Sequence, residues 1–182
     1  QHWSTTRKMD ADKYCLSMPE EFYTQSSLPD VTPANALQWL QHVLPHAEGN
    51  ERHRGLDFQE YCSGSARLSL AALQLRLETG CPVDHRYGWD TTLMKHQSTL
   101  DEINSKFNIS VQFFPPRCSP WSKASTTSKV ETKARARQDE RPGLQWIADR
   151  CNQILETDGA KAFILETPHG SQLLTDSPYA NI

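Results

Sequence analysis

The stretch "LDFQEYCSGSARLSLAALQLRLETG", Leu56 to Gly80, decides the fold class. "LDFQEY" is short, apolar and aromatic enough for a strand, "CSGSA" is a turn of small residues, and "RLSLAALQLRLE" is apolar on most faces until Gly80, a residue suited to a helix C-terminus. Strand, tight turn and buried helix in this order open a β-α-β unit. "CPVD", directly after Gly80, therefore sits where a second parallel strand returns.

The alternation continues along the chain. A helix is predicted from about Thr92 to Lys106, with Leu93, Gln97, Leu100, Ile103 and Phe107 near one face, and "ISVQFF" follows as a strand. "GLQWIADRCNQILETDG" puts Leu144, Ile147, Cys151, Ile154 and Leu155 on one helical face and ends at Gly159, before a last strand, "KAFILE". The expected fold is α/β. Strands at about 57–61, 81–84, 109–114 and 161–166 form one parallel sheet with helices on both faces.

Residues 1–55 differ in texture and read as an N-terminal extension with one helix. "SMPEEFYTQSSLPDVTP" is turn-rich, "EGNERHRG" is charged, and the first 30 residues are expected to pack poorly. Between these stretches, "TPANALQWLQHVLP" offers Thr32 as a cap, Pro33 at the first helical position and Leu37, Leu40 and Leu44 at helical spacing.

The bulk properties exclude several classes. A chain of 182 residues has room for one domain of ordinary size, and no apolar run approaches the roughly 20 residues of a membrane span. The net charge of -3 and pI near 6.2 lack the footprint of an autonomous DNA-binding module, so any nucleic-acid contact is expected to be local. Five cysteines without a CxxC pair, and no histidine at zinc-finger spacing, predict neither a disulfide framework nor a metal site. The chain begins at Gln1 without a secretory signal, which reads as an intracellular piece of a longer polypeptide.

In parallel sheets ligands bind at the carboxyl ends of the strands. Ser63-Gly64-Ser65, Asp84, Cys118 and Glu166 each follow one of the four predicted strands. Ser63 to Ala66 reads either as a bare strand-to-helix turn or as backbone N–H groups offered to a nucleotide-like ligand. Asp84 reads either as a cap or as an acid gripping ribose hydroxyls. Cys62, Cys81 and Cys151 read as core or strand-end cysteines. Cys118, in "QFFPPRCSPWSKAS", stands between Arg117 and Lys123, where positive charge would favour a nucleophilic thiolate; the alternative is that it packs under Trp121. From Arg117 to Arg141 there are seven Lys or Arg against three acids, and Ser122 to Arg141, almost without apolar residues, is predicted to be a mobile loop over the cleft.

"LDFQEYCSGSARLSLAALQ", "PPRCSPWSKAS" and "FILETP", in this order, resemble the first, fourth and sixth motifs of the S-adenosylmethionine-dependent DNA cytosine-C5 methyltransferases. "PVDHRYGWD" also resembles cytosine-methyltransferase-like reading frames of protist genomes and mobile elements. The resemblance covers roughly residues 56–170 and implies a truncated class I methyltransferase fold, Rossmann-like, without the later strands and the target-recognition domain. It implies that Cys118 is the nucleophile toward C6 of a flipped cytosine, that Glu166 assists at the ring nitrogen, and that the partner is DNA.

For the cofactor, S-adenosylmethionine, the resemblance implies binding by Cys62, Ser63, Gly64 and Ser65, with the last three along the methionine part, by Asp84 at the ribose and by Asp90 at the adenine. Ser122, Lys123, Lys129, Lys133, Arg135 and Arg137 match the position of the family's mobile loop and would hold phosphates. Cys118 and Glu166 are then expected to converge within a base's width, with Arg117 pointing away and a nuclear location if the target is chromosomal. Four positions depart from the motifs: Arg117 stands for the proline before the cysteine, Ala66 for a glycine of the turn, and Thr167-Pro168 for Asn-Val. The alternative reading is a non-catalytic domain of a larger, mobile-element polyprotein that keeps the fold and binds cofactor, nucleic acid or protein.

Overall fold

The strand and helix alternation is present in a computed structural model, which describes residues 30–43, 55–122, 130–157, 161–175 and 178–182, with residues 21, 24 and 28. The elements are helix α1 (Ala36–Val43), strand β1 (Gly55–Glu60), helix α2 (Arg67–Gln74), helix α3 (Met94–Lys106), strand β2 (Asn108–Phe114), helix α4 (Val130–Glu156) and strand β3 (Ala162–Leu165). Short 3-10 turns lie at His85–Tyr87, Ser119–Trp121 and Pro178–Asn181.

The three strands form a parallel sheet in the order β1-β2-β3. Leu56 stands opposite Ile109 and Phe58 opposite Val111; Val111 in turn faces Ala162, and Phe114 faces Leu165. The fourth expected strand is reduced to two parallel bridges on the other edge of β1, Phe58 with Thr79 and Tyr61 with Val83. Two residues lie between the bridge positions Phe58 and Tyr61 but three between Thr79 and Val83, and Pro82 among the latter has no N–H to donate, so a regular ladder cannot form. The Gln59 side chain fills part of the gap by donating to the Cys81 carbonyl at 2.7 Å.

Successive strand residues face opposite sides of a sheet, and Glu60 and Tyr61 show which helices lie where. Glu60 accepts hydrogen bonds from the Ser69 backbone at 2.8 Å and the Ser69 hydroxyl at 2.5 Å, which anchors α2 on one face. Tyr61 turns to α3 and α4. Its hydroxyl donates to Asn104 Oδ1 at 2.9 Å, its ring stacks on Phe114 at 4.6 Å, and Trp146 meets it edge-on at 5.5 Å. Arg150 of α4 reaches the same buried cluster through Gln112 Oε1 at 3.1 Å.

The helix expected in the N-terminal extension is present as α1, one turn later than its sequence cap. The Thr32 carbonyl accepts from the Asn35 and Ala36 N–H groups, and the helix begins at Ala36. Val31, Ala36, Leu40 and Val43 join the main core, and the Trp89 indole donates to the Val31 carbonyl at 3.0 Å. Most of the first 30 residues, for which poor packing was expected, lie outside the described residues.

Two expectations are corrected. Helix α2 ends at Gln74, with Arg76 at a positive φ of 60°, because the chain must turn back early enough for Thr79 to bridge β1. Gly80 is therefore no helix cap; it allows close packing, since a Cβ there would collide with the Gln59 side chain. The second correction concerns the basic segment, which is helical from Val130 and continuous with the apolar helix through Pro142. Its Glu, Lys, Ala, Arg and Gln are strong helix formers. They have no buried face, as the buried residues of α4 begin at Gly143, and a reading based on burial alone takes such a stretch for a loop.

Candidate functional site

The strand ends converge on a cavity of about 230 Å³. Cys62, Val83, Asp84 and His85 line it from the ends of β1 and the bridging segment, Pro115, Pro116 and Arg117 from the end of β2, and Glu140, Gly143, Leu144 and Ile147 from α4; Trp89 and Thr91 complete the wall. This volume lies just below the ~300–1,000 Å³ usual for small-molecule sites. A cofactor-sized ligand would fill it and reach beyond it.

The turn after β1 has an unusual backbone. Cys62, Gly64 and Ala66, at alternate positions, all have positive φ, at 50°, 54° and 52°. Only glycine adopts this region without a steric cost, so a turn of Gly-x-Gly-x-Gly type is made here with cysteine and alanine at its outer positions. Ser63 N–H donates to the Val83 carbonyl at 3.1 Å and Ala66 N–H to the Ser63 carbonyl at 2.8 Å. Nothing lies within 4 Å of the place a Cβ on Gly64 would occupy, which leaves open space beside the backbone. Ser63 Oγ is buried without a hydrogen-bond partner among the described residues, and Ser65 is exposed.

Asp84 closes this turn from across the sheet. One carboxylate oxygen accepts from Gly64 N–H at 2.9 Å and the other from Arg86 N–H at 2.9 Å, capping the 3-10 turn. Asp84 is thus a cap, as one of its two readings had it, and it also lines the cavity. Asp90 lies one residue beyond Trp89 and is not in the lining; its carboxylate accepts from Thr92 N–H and Oγ1. Burial pushes that carboxyl up, but the Thr92 hydrogen bonds and the nearby His85 and His96 outweigh it, and the net shift is downward. Burial, reinforced by the negative charges of Asp84 and Glu140, pushes the Cys62 thiol up to about 12. At neutral pH Cys62 is a protonated wall residue.

Cys118 and Glu166 follow the ends of neighbouring strands, and Glu166 N–H donates to the Phe114 carbonyl at 3.0 Å. Neither side chain lines the cavity. Cys118 is half-buried against the hydrophobic core, and its carbonyl accepts from Trp121 N–H at 2.9 Å. Glu166 is exposed. Arg117, expected to point away, forms part of the cavity wall. Its Nη1 donates to Glu140 Oε1 at 2.9 Å and its Nε to Ser119 Oγ at 3.2 Å.

Of the basic residues, Lys123 and Lys129 lie outside the described residues. Ser122 and Lys133 are half-buried, and Arg135 is exposed on α4. Arg137 is engaged within the protein, donating to the Pro120 carbonyl and to Gln172 Oε1, both at 3.0 Å, and lying over the Trp121 ring at 5.7 Å. It ties the segment after Cys118 to α4.

Sequence reading missed Trp89, Thr91, Glu140 and Gly143 as wall residues. The signal for Gly143 is the Pro142-Gly143 pair ahead of an apolar helical face. A Cβ on Gly143 would approach Thr91 Oγ1 to 2.9 Å and its backbone to 3.3 Å, so glycine lets α4 press on the 89–91 loop. Among the described residues no group of three or more His, Cys, Asp or Glu could hold a metal ion, and no helix is long and apolar enough to cross a membrane. No protein-family model, curated protein or solved structure matches the chain.

Proposed function

We propose that the chain is a DNA cytosine-C5 methyltransferase-like domain that binds S-adenosylmethionine in the cavity at the strand ends. The observation that carries this reading is the turn at 62–66, with left-handed backbone at three alternate positions and open space beside Gly64, at the edge of a cavity also lined by Asp84 and Trp89. A sheet-end turn of this kind lets a ligand approach the backbone closely. Cys62, Asp84, Trp89 and Thr91 would hold the nucleoside portion. When bound, the cofactor supplies an electrophilic methyl group. In this reading Cys118 is the nucleophile toward C6 of an extruded cytosine, and Glu166, from the adjacent strand end, is the acid that assists it. Lys133 and Arg135 would meet the DNA backbone.

A second reading, cofactor binding without turnover, is favoured by one observation: Cys118 packs against the core while Arg117 occupies the cavity wall. The two readings separate in a trapping experiment. Incubated with S-adenosylmethionine and a duplex carrying 5-fluorocytosine, the catalytic form gives a covalent protein–DNA adduct that Cys118→Ser abolishes. Calorimetric cofactor binding without any adduct supports the second reading, and an adduct that survives Cys118→Ser sinks the assignment of Cys118.

A further inference from the structure

We infer that the Arg117–Glu140 pair is a receptor for a zwitterionic amino-acid group, the α-carboxylate meeting Arg117 and the α-ammonium meeting Glu140; the inference rests on the nucleoside-cofactor reading of the cavity. Both residues line that cavity and come from different elements, Arg117 from the end of β2 and Glu140 from α4. Their contact at 2.9 Å joins a guanidinium with 66% of its side chain exposed to a carboxylate only 18% exposed. A pair this open adds little to folding.

The pair is also only half committed. A guanidinium has five N–H donors in a fixed fork, and Arg117 uses one toward Glu140 and one toward Ser119; among the described residues the Nη2 group has no acceptor. Glu140 accepts at Oε1, and its Oε2 is equally without a donor among the described residues. The fork of arginine matches a carboxylate, and a carboxylate oxygen accepts from an ammonium. Both halves of an amino-acid head group therefore find a complementary charge at one place on the wall. Pro115, Pro116, Leu144 and Ile147 of the same wall are apolar, and its other acid, Asp84, already accepts from the Gly64 and Arg86 N–H groups.

The test is calorimetry on the full chain with two probes that share the nucleoside and thioether but differ in the amino-acid group, S-adenosylhomocysteine and 5′-methylthioadenosine. The wild-type chain is expected to prefer S-adenosylhomocysteine by about tenfold or more, the order expected of charge-assisted hydrogen bonds. Arg117→Ala and Glu140→Gln should each bring that ratio close to one and leave 5′-methylthioadenosine affinity within about twofold, which also reports that the variants are folded. Arg117→Lys should retain part of the preference, because it keeps the charge and loses the fork. Binding of both probes with a preference unchanged in Arg117→Ala and Glu140→Gln overturns this inference alone. Binding of neither probe overturns the cavity reading and this inference with it.

Discussion

Ala66 and Cys62 hold backbone conformations that glycine adopts at no steric cost, and this was half legible beforehand. The departure of Ala66 from a glycine motif is visible in the sequence; the positive φ at Cys62 is not, because nothing about a cysteine announces a left-handed turn. Ala66→Gly is expected to stabilise the chain by about 0.5–1 kcal/mol, since relief of the left-handed alanine exceeds the added freedom of the unfolded chain. Chemical denaturation would show a higher midpoint at unchanged slope, and a lower midpoint would mean that the turn is not left-handed there. Glu60 yields a pH prediction. Burial raises its carboxyl pKa, with the Ser69 hydrogen bonds opposing and the Asp84 charge adding to the rise. The folded chain then binds the proton more tightly than the unfolded one, so stability falls as pH rises from the unfolded glutamate value of about 4.3 through the raised folded value. Glu60→Gln should flatten that part of the stability–pH curve, and an unchanged slope would assign it to another group.

Helix α4 carries the largest difference between expectation and structure. Its second half was legible from the spacing of Leu144, Ile147, Cys151 and Ile154, all buried as expected, whereas Leu155, placed on the same face, is exposed. Its first half was not, because residues 130–142 contribute nothing to the core and are held by propensity and by polar ties such as Arg137 to Pro120 and Gln172. Pro142 removes one intrahelical hydrogen bond at the junction. Amide exchange should therefore be faster in 130–141 than in 144–156, and Pro142→Ala should narrow the difference by stabilising the exposed half. Equal protection of both halves in the native chain would contradict this division. Gly143→Ala places a methyl against Thr91 and should lower stability by about 1–3 kcal/mol, as overpacking does. A thermal melt checks it; an unchanged midpoint would show that the 89–91 loop yields freely.

Across the molecule, the N-terminal helix and the sheet share one core. Leu40 is fully buried together with Leu56, Trp89 and Leu100, so Leu40→Ala should cost about 2–5 kcal/mol in denaturant unfolding although it lies outside the α/β alternation. A loss below about 0.5 kcal/mol, the scale of surface substitutions, would make α1 an appendage. The parallel sheet and its alternating helices were legible because parallel strands and buried helices need apolar residues at spacings that a sequence displays directly. The positions of Ser63, Asp84, Cys118 and Glu166 beyond the strands followed from the same periodicity. The sequence by itself therefore determined the α/β class, three of the four strands and the edge of the sheet at which the chemistry-bearing residues gather. The tertiary structure decided which of them line one cavity: it brings Cys62, Asp84, Arg117 and Glu140 together and leaves Cys118 against the core and Glu166 exposed. The physical reason is that a side chain's partners depend on how α4 crosses the strand ends, and that crossing is set by Gly143 against Thr91 and by polar ties between residues far apart in the chain, which leave no local pattern to read.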